Sequence, residues 1–169
     1  MNKSKKILIL YYSRTGVTRT LAESIHRRIG GELVEIKTSY YREGILGYLQ
    51  AVLDATLKRI IPISYEASLD KNYDLVVIGT PVWNASLSSP IQTLMSHSLP
   101  KTKQVAFFLT HGGSGAKRVF QQLESLYGKS PITQLNVTTT EVLKRNFTAK
   151  LEKFIQDLTP SKKEIQRAA

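Results

Sequence analysis

The chain of 169 residues contains no cysteine. Disulfides, thiolate metal sites and thiol redox chemistry are therefore excluded. No apolar run is long enough to cross a bilayer. The basic start, Met1 to Lys6, precedes six apolar residues and has the outline of a secretion signal. That apolar stretch is short, lacks a small-residue cleavage site and runs straight into a glycine turn. It is expected to be the first strand, with the cytoplasm as the default location. Nucleotide fingerprints are missing too. There is no Gly-Lys-Ser/Thr spacing and no G-x-G-x-x-G, which removes Walker-type and dinucleotide loops. No carboxylates are spaced for a metal, and Ser13 has no evident base beside it. Any chemistry belongs to a bound group rather than to a side-chain nucleophile.

Acidic residues are scarce. Thirteen Asp and Glu stand against 24 Lys and Arg, a formal net charge of +11. Neither Lys3 to Ala22 nor Leu75 to Leu123 contains a carboxylate. The surplus suits a basic surface and, more sharply, an acidic protein partner or an anionic membrane. No basic helix interleaved with aromatics occurs, so specific nucleic-acid binding is not expected.

What is present is an alternation of strand and helix. Lys6 to Tyr12 reads as a strand and Val17 to Ile29 as a helix closed by Gly30-Gly31. Glu32 to Lys37 alternates as a second strand. Leu75 to Ile78 is a continuous apolar run, the mark of a buried central strand. A helix starts at Ser88 or Ser89, with Pro90 in its first turn, and runs to about Ser98. Val105 to Thr110 and Ile132 to Thr138 read as strands, with a helix over Ala116 to Tyr127 between them. Thr140 to Leu158 reads as one helix, its stripe including Val142, Leu143, Phe147 and Leu151. A helical stretch is expected over Ile45 to Ile60, then an irregular tract to Tyr73. This pattern gives five parallel strands with helices on both faces. One domain is expected over 1–158 and a basic tail over 159–169.

Ligands of open α/β sheets bind beyond the carboxyl ends of the strands. Three segments at such ends carry unusual residues. Ser13-Arg14-Thr15-Gly16-Val17-Thr18 follows the first strand and opens a helix, so hydroxyls, N–H groups and a helix N-terminus converge on a phosphate-sized site. Thr80-Pro81-Val82-Trp83-Asn84-Ala85-Ser86 carries the only Trp, whose indole is suited to cover a ring face. Thr110-His111-Gly112-Gly113-Ser114-Gly115 has three glycines that let backbone approach a flat ligand.

Together these motifs resemble the flavodoxin family over almost the whole chain. Arg42-x-Gly44 and Gly47-Tyr48 resemble a short-chain flavodoxin-like branch. The resemblance implies a doubly wound sheet of order 2-1-3-4-5 and non-covalent FMN. It implies that Ser13, Thr15, Gly16 and Thr18 hold the phosphate, with backbone help from Arg14 and Val17. It places Pro81, Val82, Trp83 and Asn84 along one side of the isoalloxazine. Thr110, His111, Gly112, Gly113, Ser114 and Gly115 line the other side. The chain departs at Val17, where many flavodoxins have Asn, and in the third loop, where His111 stands instead of a stacking Tyr.

Three functions are compatible with these residues. The first is an FMN-binding redox protein exchanging electrons with a protein partner. The second is an FMN-dependent NAD(P)H oxidoreductase acting on a quinone or similar acceptor. The third is a non-redox module binding another phosphate ligand or a protein. A rim without carboxylates is expected to bring the two flavin potentials closer together than in an acidic carrier.

Overall fold

The computed structural model describes residues 5–97 and 99–159. The expected basic tail falls on 160–169, apart from Thr159, and so lies outside the described residues. The chain alternates strand and helix: β1 (Ile7–Tyr12), α1 (Val17–Ile29), β2 (Glu32–Ile36), α2 (Gly44–Thr56), β3 (Tyr73–Trp83), β4 (Ser86–Leu87), α3 (Ser89–Ser96), β5 (Thr102–His111), α4 (Ala116–Tyr127), β6 (Gln134–Thr138), α5 (Thr139–Leu143) and α6 (Thr148–Leu158).

Five strands pair in parallel in the order β2-β1-β3-β5-β6. Counting parallel strands alone, this is the expected order 2-1-3-4-5. The sixth strand, β4, is a two-residue addition antiparallel to the end of β3. All six residues of β1 are buried, as a strand covered on both faces requires. Its side chains alternate between two cores. Leu8, Leu10 and Tyr12 join Ala51 and Ala55 of α2, Ile91 and Leu94 of α3, and Val119 and Leu123 of α4. Ile7, Ile9 and Tyr11 join Leu21 and Ile25 of α1, Val142 of α5, and Leu151 and Phe154 of α6. Among the described residues, three helices thus cover each face.

Two expectations need correction. The last helix is not continuous from Thr140 to Leu158. It breaks after Leu143 and restarts at Thr148, with Arg145 at φ 54°. In an unbroken helix Val142 and Phe147 would point about 140° apart. The break lets both enter the same core, and Leu143 is left outside, 72% exposed. The central strand is also longer than Leu75 to Ile78. It runs on past the end of β1, so Thr80 to Trp83 extend it beyond its neighbour. This overhang pairs with β5 as far as Pro81 opposite Thr110 and then folds back through Asn84 and Ala85 into β4. Both turn residues have positive φ, 48° and 54°, the geometry of a tight two-residue hairpin. The segment read as irregular after α2 includes one bridge, Lys37 to Ser64.

Candidate functional site

Because the strands are parallel, their carboxyl ends share one edge, and the three motif segments meet there. Contacts link them pairwise. The hydroxyls of Thr18 and Thr110 share a buried hydrogen bond of 2.7 Å, joining the first loop to the third. Tyr12, the last residue of β1, lies edge-on to Trp83 with ring centroids 5.6 Å apart, joining the first to the second. A Cβ at Gly115 would come within 2.7 Å of Ala85 Cα and 3.1 Å of Val82 Cγ1, so the second and third loops touch.

The N-cap of helix α1 is Gly16, whose φ of 86° and ψ of −14° turn the chain sharply and which has no side chain to cap the helix itself. Helix α4 begins the same way at Gly115, φ 85°, also without a side-chain cap. The first-turn N–H groups of α1 bring their partial positive charge to the loop. Ser13 Oγ accepts from Arg19 N–H at 3.1 Å, which closes the turn onto the helix. Thr15 is exposed, Ser13, Arg14, Gly16 and Val17 are half-buried, and Thr18 is buried. The Arg14 guanidinium leaves the turn and donates to the carbonyls of Arg42 (2.9 Å) and Gly44 (3.2 Å), tying the loop to the start of α2.

In the second segment Pro81 and Val82 are half-buried and Asn84 is exposed, its amide donating to Thr56 Oγ1. Trp83 is 5% exposed. Its ring packs edge-on against Tyr12 and Tyr41, the latter at 6.0 Å, so the indole is part of the core beneath the loops. Ser88, one of the two expected cap residues, stands at the N-cap of α3, but its hydroxyl shares a 2.7 Å hydrogen bond with the buried Thr80 hydroxyl in place of a helix N–H. In the third segment Gly112, Gly113 and Ser114 are exposed and Thr110 and His111 are buried. Gly113 N–H donates to His111 Nδ1 at 3.1 Å, which leaves the proton of a neutral ring on Nε2. Among the described residues that nitrogen is buried without a partner.

A cleft of about 720 Å³ opens on the β2 side of the first loop. Tyr12, Ser13, Arg14 and Thr15 line it together with Arg19, Glu35, Lys37, Tyr41, Arg42, Glu43 and the first turns of α2. Residues 81–84 and 110–115 are not among its walls. Two carboxylates reach the cleft that the sequence around the loops does not contain. Glu35 is held by Arg19 in a two-point contact of 2.7 and 3.0 Å, and Glu43 precedes α2. Only chain pairing brings Glu35 there, because β2 lies beside β1, and no local signal announces it. Burial raises the Tyr11 hydroxyl above its ordinary pKa, and the charge of Glu35 adds to the shift. Burial also raises Tyr12 and pushes Tyr41 up to about 12. All three remain neutral donors through the physiological range. Among the described residues no group of three or more His, Asp or Glu is placed to hold a metal ion.

The flavodoxin profile matches residues 6–154. The chain belongs to the flavodoxin family. A flavoprotein from Lactobacillus acidophilus, solved in complex with FMN, is 32% identical; the match covers 83% of this chain and 97% of that one, with a TM-score of 0.69. The apo-form of a flavoprotein from the same organism is 28% identical over 85% and 98% of the two chains, TM-score 0.61. The two-electron reduced flavodoxin of Megasphaera elsdenii, at 17% identity over 90% and 99%, TM-score 0.54, shares the fold. No curated protein matches the chain. The flavodoxin-like architecture is thus established for this chain. No helix among the described residues is long and apolar enough to cross a membrane.

Proposed function

We propose that this chain is an FMN-binding redox protein that exchanges electrons with a protein partner. The observation that carries the reading is the convergence of three loops at the carboxyl edge, around the N-terminus of α1. Ser13, Thr15, Gly16 and Thr18 hold the phosphate by hydroxyl and N–H donors, and the α1 dipole favours its negative charge. Two features fit a flat heterocycle beside that phosphate: the exposed glycine backbone at 112–113, and the His111 Nε2–H, without a partner among the described residues and so a donor ready for a ligand acceptor. Bound FMN supplies one- and two-electron transfer. The protein supplies position and charge: Thr18 and Thr110 fix the first loop against the third, and Arg19 balances Glu35. The FMN complex of the Lactobacillus acidophilus relative supports the same cofactor here.

The cleft favours a second reading, an NAD(P)H oxidoreductase acting on a quinone or similar acceptor. Its volume suits a small molecule, and Arg14, Arg19, Lys37 and Arg42 give it cationic walls for a phosphate-bearing donor. A visible spectrum of purified protein with FMN, followed by NADPH, separates the readings. A flavin spectrum that NADPH leaves unchanged supports the carrier. Bleaching by NADPH, with turnover when a quinone is added, supports the enzyme. Calorimetry showing no FMN binding overturns both and leaves a non-redox module.

A further inference from the structure

Helix α2 turns its small residues inward and its large apolar ones outward. Gly47, Ala51, Asp54 and Ala55 face the protein. Ile45, Leu46, Leu49 and Leu53 are all more than half exposed, Ile45 and Leu46 at 78% and 79%, and Leu57 and Ile60 continue the surface past the helix end. Residues 45, 49, 53 and 57 are spaced by four, so they form one stripe on a helix about 20 Å long. A lone exposed leucine is ordinary, but a contiguous stripe marks an interaction surface. The core beneath does not need these side chains, since alanines and a glycine make the seat.

Charge identifies the occupant. No charged side chain of α2 faces outward; its single one, Asp54, is fully buried and accepts from Arg59. Cations stand at both ends: Arg14 and Arg42 at the N-terminal end, Lys58 and Arg59 at the C-terminal end. Glu43 is the exposed carboxylate among them. Two copies joined along this stripe would set cations against cations whether the helices ran parallel or antiparallel, and each copy carries a net charge of +11. Lipid phosphates reverse that sign.

We propose that α2 docks this protein on an anionic lipid bilayer. The leucine and isoleucine stripe enters the boundary between headgroups and acyl chains, and the cations at its two ends meet lipid phosphates. Ile45 and Tyr48 also line the cleft, so docking turns one cleft wall toward the lipid.

The test is co-sedimentation of the full chain with vesicles of phosphatidylcholine alone and of phosphatidylcholine mixed with phosphatidylglycerol. It is run without FMN, so that its outcome is separate from that of cofactor binding. Binding is expected to the mixed vesicles only, weakened about tenfold or more by raised salt. The double variant Leu49→Ser, Leu53→Ser is expected to lose binding by a similar factor while keeping the thermal midpoint, because both side chains are exposed. Lys58→Glu keeps the stripe and is expected to weaken binding to the anionic vesicles alone. Three results overturn the proposal: equal or absent binding to the two vesicle types, binding indifferent to all the substitutions, or a stable dimer in solution that the leucine substitutions dissociate.

Discussion

At the scale of single residues, the site depends on a few side chains that hold loops together. The Thr18–Thr110 hydroxyl pair is buried, so removing one partner strands the other. Thr18→Val is expected to cost about 1–3 kcal/mol in urea unfolding and to weaken FMN binding measured by calorimetry. Adding Thr110→Val removes the stranded hydroxyl, so the double variant is expected to be more stable than the sum of the single losses. Gly115 has no such latitude. Gly115→Ala combines φ 85° with a Cβ 2.7 Å from Ala85 Cα, and a loss of more than about 1 kcal/mol is expected. The facing residue runs the other way. Ala85 adopts φ 54° with a side chain present, so Ala85→Gly is expected to stabilise by about 0.5–1 kcal/mol, seen as a raised urea midpoint at constant slope.

At the scale of elements, much was legible because strong periodicity has few solutions. The apolar run at 75–78, the stripe at 119–123 and the hydroxyl turn at 13–18 each fall in an element of the expected kind. The break between α5 and α6 was not legible. Leu143 and Phe147, four residues apart, fit one helical stripe, and only the core that Val142 and Phe147 must share separates them. The partner of Arg19 was hidden for a similar reason, since Glu35 comes from another strand. Trp83 shows the limit from the site's side: its place in the chain was clear, but whether the indole faced out or in depended on Tyr12 and Tyr41. The start of α5 carries a pH prediction. Thr138 and Glu141 form a reciprocal cap, and Lys150 contacts the same carboxylate at 2.7 Å. The Lys150 ammonium, then the Thr138 N–H, holds the Glu141 carboxyl down at about 2. A depressed carboxyl stabilises the fold above its unfolded pKa, and that stability is lost as pH falls through the folded value. Glu141→Gln is therefore expected to cost about 1 kcal/mol at neutral pH, with solvent screening included. Its difference in thermal midpoint from the parent should shrink from about pH 4.5 down to about 2.

At the scale of the whole molecule, sheet order decides which loops meet, and charge decides how the edge behaves. Placing β1 between β2 and β3 brings Ser13 to Thr18 beside Pro81 to Asn84, although more than 60 residues separate them in sequence. The absence of carboxylates from Lys3 to Ala22 survives folding only in part, since Glu35 and Glu43 reach the cleft beside Ser13 to Thr15. Arg19 neutralises the first, and Arg14, Lys37 and Arg42 outnumber the second. Negative charge on a reduced flavin is therefore less opposed here than beside an acidic rim. Reductive titration of the FMN-loaded protein is expected to give two potentials close together. A very low second potential, far from the first, would refute this.

The burial of Trp83 has an optical consequence. It is the only indole in the chain, and it touches Tyr12 at the end of β1 and Tyr41 ahead of α2. Its ultraviolet emission therefore comes from one known point, directly beneath the first and second loops. Any ligand that moves either loop changes the environment of that fluorophore, and a flavin nearby accepts its excitation energy. The protein carries its own unlabelled reporter for whatever occupies the edge of its sheet.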